Sequence, residues 1–197
     1  MSHRRVQLVI LCEDTQQEAF IRRFLSKAGW NTRRFRVEKA PSGRGSGEQF
    51  VKERFPLELD SYRRKSAHVG SAVVVMIDGD NRGVATRQKE LDDACTEKNV
   101  QQRQSKERVA VFVPTWNIET WFAYLDGQTV DETQSNYPRL DRERLCQEHV
   151  NTLFGMCESG SLREPSPASL RPSRHVTVPI RRCSASKGSS HNNAGVW

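Results

Sequence analysis

Ser71-Ala72-Val73-Val74-Val75-Met76-Ile77-Asp78-Gly79-Asp80-Asn81 changes character within a single step. From Ala72 to Ile77 every residue is apolar, and then the chain turns acidic at once. A strand with one solvated face would alternate. An unbroken apolar run requires cover on both faces, as in the middle of a sheet sandwiched between helices. The strand is predicted to span Ser71–Asp78. The acids at its end then lie beyond its carboxyl terminus, where open α/β sheets bind their ligands.

Two further apolar runs flank it in the chain. Val6–Cys12 contains Val6, Leu8, Val9, Ile10, Leu11 and Cys12, and ends in Glu13-Asp14-Thr15. Val109–Pro114 is followed by Thr115-Trp116-Asn117-Ile118-Glu119-Thr120-Trp121-Phe122. A weaker strand, Thr32–Lys39, carries Phe35 and Val37 in alternation. Helical spacing of Phe20, Ile21, Phe24, Leu25 and Ala28 predicts a helix from Gln16 to Lys27, stopped by Gly29. Thr15 with Glu18 fits a capping box for it. Ser46 with Gln49 fits another, for a helix from Glu48 that Pro56 is predicted to kink or break. Helices are also expected over Val84–Lys98, over Ile118–Leu125 with Asn117 as cap, and over Arg142–Met156. Strands alternating with helices predict an α/β fold, with a mainly parallel sheet covered on both faces.

The 197 residues suit one domain with an appendage. The expected division is an α/β domain over 1–126, a helical extension over 127–160, and a basic, low-complexity tail over 161–197 that is expected to be disordered. The net charge is +7, but no acid follows Glu164, and Arg171, Arg174, Arg181, Arg182 and Lys187 supply five of those charges. The body is therefore only weakly basic, and charge alone argues little for a nucleic-acid partner. The five cysteines show no Cys-x-x-Cys pair and the five histidines no ligand spacing, so reduced thiols are expected rather than disulfides or zinc. No apolar run is long enough for a membrane span and none resembles a signal peptide, which predicts a cytoplasmic protein without a membrane partner.

Three apolar strands thus end in acids: Glu13, then Asp78 and Asp80, then Glu119 just beyond the last. If the strands are neighbours, these carboxylates meet at one edge. Carboxylates held close repel, and one would take up a proton unless a cation relieved them. Mg²⁺ suits such a place because it accepts a few carboxylates and keeps waters. Each position also has a plainer reading. Glu13-Asp14 suits the positive end of a helix. Asp78-Gly79-Asp80-Asn81 suits a turn. Glu119 falls in a first helical turn, where dipole and metal are equally served.

Val9-Ile10-Leu11-Cys12-Glu13, Glu18-Ala19-Phe20-Ile21-Arg22-Arg23-Phe24-Leu25 and Val75-Met76-Ile77-Asp78-Gly79-Asp80 resemble the corresponding stretches of Toprim domains. The likeness is closest to the overcoming-lysogenization-defect (OLD) nucleases and to small stand-alone Toprim-like proteins of bacterial defence loci. Pro114 through Ile118-Glu119-Thr120-Trp121 is similar to a Pro…Ile-Glu-x-Trp stretch of those small proteins. The resemblance covers residues 6–125. It implies a Rossmann-like Toprim core, Mg²⁺ or Mn²⁺, and phosphodiester chemistry on DNA or RNA, often beside an ATPase partner in anti-phage defence. It leaves a homo-oligomer open. By position, Glu13, Asp78 and Asp80 are the catalytic and metal-binding acids, with Glu119 as a later metal ligand. Two departures stand out: Glu13-Asp14 where the family has Glu-Gly, and Gln17 where it commonly has an acid.

The expected chemistry is metal-assisted phosphodiester hydrolysis, with Glu13 binding metal or acting as general base. Arg22, Arg23, Lys27 and Arg44 are the candidate nucleic-acid-binding cations, although solvated surface charge is the commoner role. The Gly43-x-Gly45-x-Gly47 loop lacks the Gly-Lys-Ser/Thr ending of a P-loop. Trp121 is predicted to be core, while Trp116 is open between packing and base stacking. Two rival readings remain. One is a phosphatase with Asp78 as nucleophile and Asp80 as acid/base. The other is a non-catalytic Toprim-like regulatory or scaffold subunit that binds an ATPase or nucleic acid.

Overall fold

The computed structural model describes residues 7–41, 46–66, 70–80 and 82–171. Its centre is a four-stranded, fully parallel sheet in the order β2-β1-β3-β4. These strands are β1 (Gln7–Cys12), β2 (Phe35–Lys39), β3 (Ser71–Met76) and β4 (Val109–Phe112). The unbroken apolar run of β3 is buried at every position, as a strand covered on both faces requires. Ile10 pairs with Val37 on one side and with Val74 on the other, so β1 is central as well.

Among the described residues, five helices flank the sheet: α1 (Thr15–Lys27), α2 (Gly47–Ser66), α3 (Gly83–Glu97), α4 (Ile118–Leu125) and α5 (Gln147–Ser159). The period-2 alternation of the strands sorts the core into two layers. Leu8, Ile10, Cys12, Val74 and Met76 face α1, α4 and α5, where Phe20, Ile21, Trp121, Phe122 and Val150 cover them. Val9, Leu11, Val73, Val75 and Ile77 face Val51, Phe55 and Leu59 of α2, and Leu91 and Cys95 of α3. The sheet is thus doubly wound and Rossmann-like. Among the described residues, no helix is long and apolar enough to cross a membrane.

Several local expectations change. Thr32–Arg34 forms a short 3-10 turn, and β2 begins only at Phe35. The cap of α1 is Asp14, whose Oδ1 accepts from the Gln17 N–H at 2.9 Å, so Thr15 is already helical. A short carboxylate at the cap meets the first-turn donors directly and leaves Thr15 no such role. At the other end Gly29, at φ 88°, closes a Schellman turn through Trp30 N–H to Leu25 O and Gly29 N–H to Ser26 O. Pro56 neither breaks nor ends α2, which runs 20 residues through it. Val51, Phe55 and Leu59 bury one stripe on both sides of the proline, and that packing outweighs its one missing hydrogen bond. The last helix is preceded by a 3-10 turn at Glu143–Cys146.

Residues 161–171 are not a disordered tail. The Tyr124 hydroxyl donates to Arg163 O at 2.6 Å, Trp121 Nε1 donates to Ser169 Oγ at 2.9 Å, and Leu162 and Leu170 pack on the core. Polar anchors to α4 hold this segment, which apolar periodicity could not reveal. The rest of the expected tail, 172–197, lies outside the described residues.

Leu11 is fully buried between α2 and the sheet. Leu11→Ala should lower the unfolding free energy by about 2–5 kcal/mol. Leu145→Ala, at a residue 48% exposed, should change it by no more than about 0.5 kcal/mol. Urea denaturation of the two variants checks both values.

Candidate functional site

β1 and β3 are hydrogen-bonded neighbours, yet the chain leaves β1 toward β2 on its other side. The strand order therefore reverses between β1 and β3, and a crevice opens beyond their carboxyl ends. Glu13 follows β1 directly and Asp78 follows β3 after Ile77, so the sequence delivers one carboxylate to each wall. Glu13 Oε1 accepts from the Asp78 backbone N–H at 2.6 Å. Gln17 bridges the two strand ends. Its Oε1 accepts from Glu13 N–H at 3.0 Å and its Nε2 donates to Asp78 Oδ1 at 2.9 Å. Gln17 itself is buried, held there by the first turn of α1.

The other two acids sit on either side of this pair. Glu119, buried in the first turn of α4, accepts from Gln16 Nε2 at 2.8 Å. Asp80 is exposed and forms an ion pair with Arg87 Nη2. The Arg87 guanidinium is buried, and it also donates through Nε to Asp78 O at 2.8 Å and through Nη1 to Glu90 at 2.8 Å and to Glu48. Burial works against its charge, but the two glutamates outweigh burial and keep it firmly protonated. Reciprocally, the Arg87 hydrogen bond holds Glu48 down at about 2.

The charge at the strand ends is poorly compensated. Burial pushes Glu13 up to about 7, and repulsion from Asp80 and Glu48 adds to it, against the lowering effect of the Asp78 N–H and of Arg87. Asp78 is raised well above the ordinary aspartate range, first by burial and then by Glu13, Glu119, Asp14 and Asp80 in turn. These carboxylates therefore act on one another electrostatically across the crevice, as acids gathered at one sheet edge should.

Among the described residues, no three His, Cys, Asp or Glu side chains form a metal-holding group. Of the expected Asp78–Asp80 pair, the Asp80 carboxylate is engaged by Arg87 in an ion pair. What fits a metal is narrower. Asp78 and Glu13, desolvated and mutually repelling, provide the one or two carboxylates that Mg²⁺ combines with waters and substrate oxygens.

Of the four candidate cations, the three among the described residues are engaged away from this edge. Arg22 pairs with Glu18 at 3.4 Å and lies over the Phe35 ring. Arg23 donates to Ala19 O, and Lys27 lies over Phe154. Arg44 falls outside the described residues, as do Gly43 and Gly45 of the glycine-rich loop. Among the described residues, the cations that reach the acids are Arg87 and Arg139. Arg139, two-thirds exposed, donates to Asp14 Oδ2 at 2.8 Å and lies 3.8 Å from Glu119 Oε1. Neither was legible by spacing, although Arg87 is the one basic residue on the buried stripe that Leu91 and Cys95 define on α3. The described cysteines, Cys12, Cys95, Cys146 and Cys157, are free thiols.

A raised carboxyl pKa fixes the sign of its effect on stability. The folded state takes up the Glu13 proton more readily than the unfolded chain, so its contribution is full below pH 4.5 and lost as pH rises through about 7. Glu13→Gln keeps the acceptor for Asp78 N–H without the charge. At pH 8.5 in EDTA it should be more stable than the parent by about 1–3 kcal/mol, and by much less at pH 4.5. Urea denaturation at the two pH values reads the difference. Compared with known proteins, the chain matches no family model, no curated protein and no solved structure.

Proposed function

We propose that this chain is a Toprim-like, Mg²⁺- or Mn²⁺-dependent nuclease that hydrolyses phosphodiester bonds at the crevice between β1 and β3. The observation that carries the reading is the coupled Glu13–Asp78 pair, desolvated at the point where the strand order reverses. Two half-buried carboxylates that resist ionising together are a poor structural device. They are a good receptor for a small, hard dication.

Asp78 and Glu13 would hold the ion, with Glu119 as a further carboxylate on the β4 side. Bound there, a divalent ion supplies charge neutralisation at a non-bridging phosphate oxygen and at the attacking water. The chain's own residues do the positioning. The Gln17 amide fixes the Asp78 carboxyl from one side while Arg87 fixes the Asp78 carbonyl from the other. A Glu13 that exchanges its proton near pH 7 is matched to taking a proton from water at neutral pH. Arg139, two-thirds exposed and paired with Asp14 and Glu119 at the rim, would turn to a phosphate.

The ion pair between Arg87 and Asp80 favours a second reading, in which an internal cation does part of the metal's work and the chain serves as a regulatory subunit for an ATPase. The same pair occupies the acid/base that a phosphatase would need at Asp80, so that alternative gains nothing.

Because the carboxylates must shed protons to take up metal, Mg²⁺ affinity should rise with pH through about 7, with proton release on binding. Calorimetry in two buffers of different ionisation enthalpy measures both. Cleavage of DNA or RNA with Mg²⁺ or Mn²⁺ should fall at least about a hundredfold in Asp78→Asn. Metal binding without cleavage, reversed by adding an ATPase partner, would select the subunit reading. Neither binding nor cleavage would sink the metal-dependent one.

A further inference from the structure

We propose that Trp116 is a stacking platform for an unpaired nucleobase, which makes single-stranded nucleic acid the substrate class. This deepens the nuclease reading and rests on it. Trp116 holds φ 64°, the left-handed region that bulky L residues seldom occupy. Asp80 is left-handed too, at φ 46°, and the two are joined by an isolated antiparallel bridge with Asp80 N–H donating to Trp116 O at 2.8 Å. Between Asp78 and Asp80, Gly79 N–H donates to Pro114 O at 2.8 Å. A Cβ on Gly79 would stand 2.8 Å from that same oxygen and 3.4 Å from Trp116 N, so only glycine permits the approach. The backbone of Trp116 is thereby clamped to the loop that carries both aspartates.

Packing does not repay this strained backbone. Trp121 is buried in the layer over α1, and Trp30 packs against it, whereas Trp116 belongs to neither apolar layer. It is partly exposed, and among the described residues its ring meets no other aromatic and its Nε1 makes no hydrogen bond. A large indole held in a costly conformation on the loop bridged to Asp80, partly exposed and outside both apolar layers, has the features of a surface kept for a ligand.

The site's electrostatics say which ligand. Glu13, Asp14, Asp78, Asp80 and Glu119 surround the crevice, and the body of the chain is only weakly basic. A phosphate backbone gains little there by charge alone and needs an attraction independent of charge. Stacking of a base on an indole supplies one, and every base offers a face for it. Paired bases in a duplex keep their faces occupied, so the partner is a base in a single strand.

The test compares a labelled single-stranded oligodeoxynucleotide with an abasic strand of equal length and charge. Anisotropy of each is read with the full chain in EDTA and in Ca²⁺. The parent and Trp116→Phe should prefer the base-bearing strand by about tenfold. Trp116→Asn, which tolerates the left-handed backbone, should bind both strands alike while its melting temperature stays at or above the parent's. A preference that survives in Trp116→Asn would overturn the platform and leave the nuclease reading standing, as would equal binding of both strands by the parent. Binding of neither strand in either condition would remove the nucleic-acid reading and the platform together.

Discussion

A buried guanidinium with its carboxylates holds the acidic edge of the sheet in shape. Arg87 reaches from α3 to the start of α2 through Glu48, to the loop after β3 through Asp80 and the Asp78 carbonyl, and back to its own helix through Glu90. Burying one charge without partners would cost several kcal/mol, and three carboxylates offset that only while all three elements stay in register. The geometry of the acids is in this sense set from behind. The loop that carries Asp78 and Asp80 cannot move without exposing or orphaning Arg87.

The same interaction divides the acids by role. Asp80 and Glu48 are satisfied by a cation the protein supplies itself. Among the described residues, Glu13 and Asp78 accept from amide donors, the Asp78 backbone and Gln17, and so keep a repulsion that Arg87 relieves only in part. A Gln at position 17 gives the crevice a neutral bridge where an acid would have added a further negative charge. It stitches β1 to β3 without deepening the electrostatic deficit.

Much of the fold was legible because it follows from local pattern. The unbroken run Ala72–Ile77 could only be a strand covered on both faces, and Phe20, Ile21, Phe24 and Leu25 could only be one stripe of a helix. The acids at the strand ends followed once those strands were placed. Other features depend on contacts distant in the chain. Pro56 reads as a breaker until Val51, Phe55 and Leu59 are seen packing on β1 and β3. Arg87 reads as one more charge on a polar helix, and Arg139 as one in a loop, until the fold brings them to the acids. Arg22, Arg23 and Lys27 stand out in the sequence by charge and nearness to Glu13. A helix rises about 1.5 Å per residue, so these stand about two to three turns along α1 from the acids at its start, and they settle on Glu18, Ala19 and Phe154.

The strand order also bears on how the chain comes together during synthesis. β1 is made before either of its partners, and its second neighbour, β3, lies 64 residues later at the Gln7–Ser71 pairing. A nascent chain therefore carries Leu8–Cys12, its most apolar strand, with one side unpaired until α2 and β3 have left the ribosome. At the usual pace of elongation that wait lasts some seconds, long compared with the collapse of a helix or hairpin. The strand that leads into Glu13 is thus the one that waits longest for its second neighbour, and the acidic edge is assembled last, when β4 and Trp116 arrive.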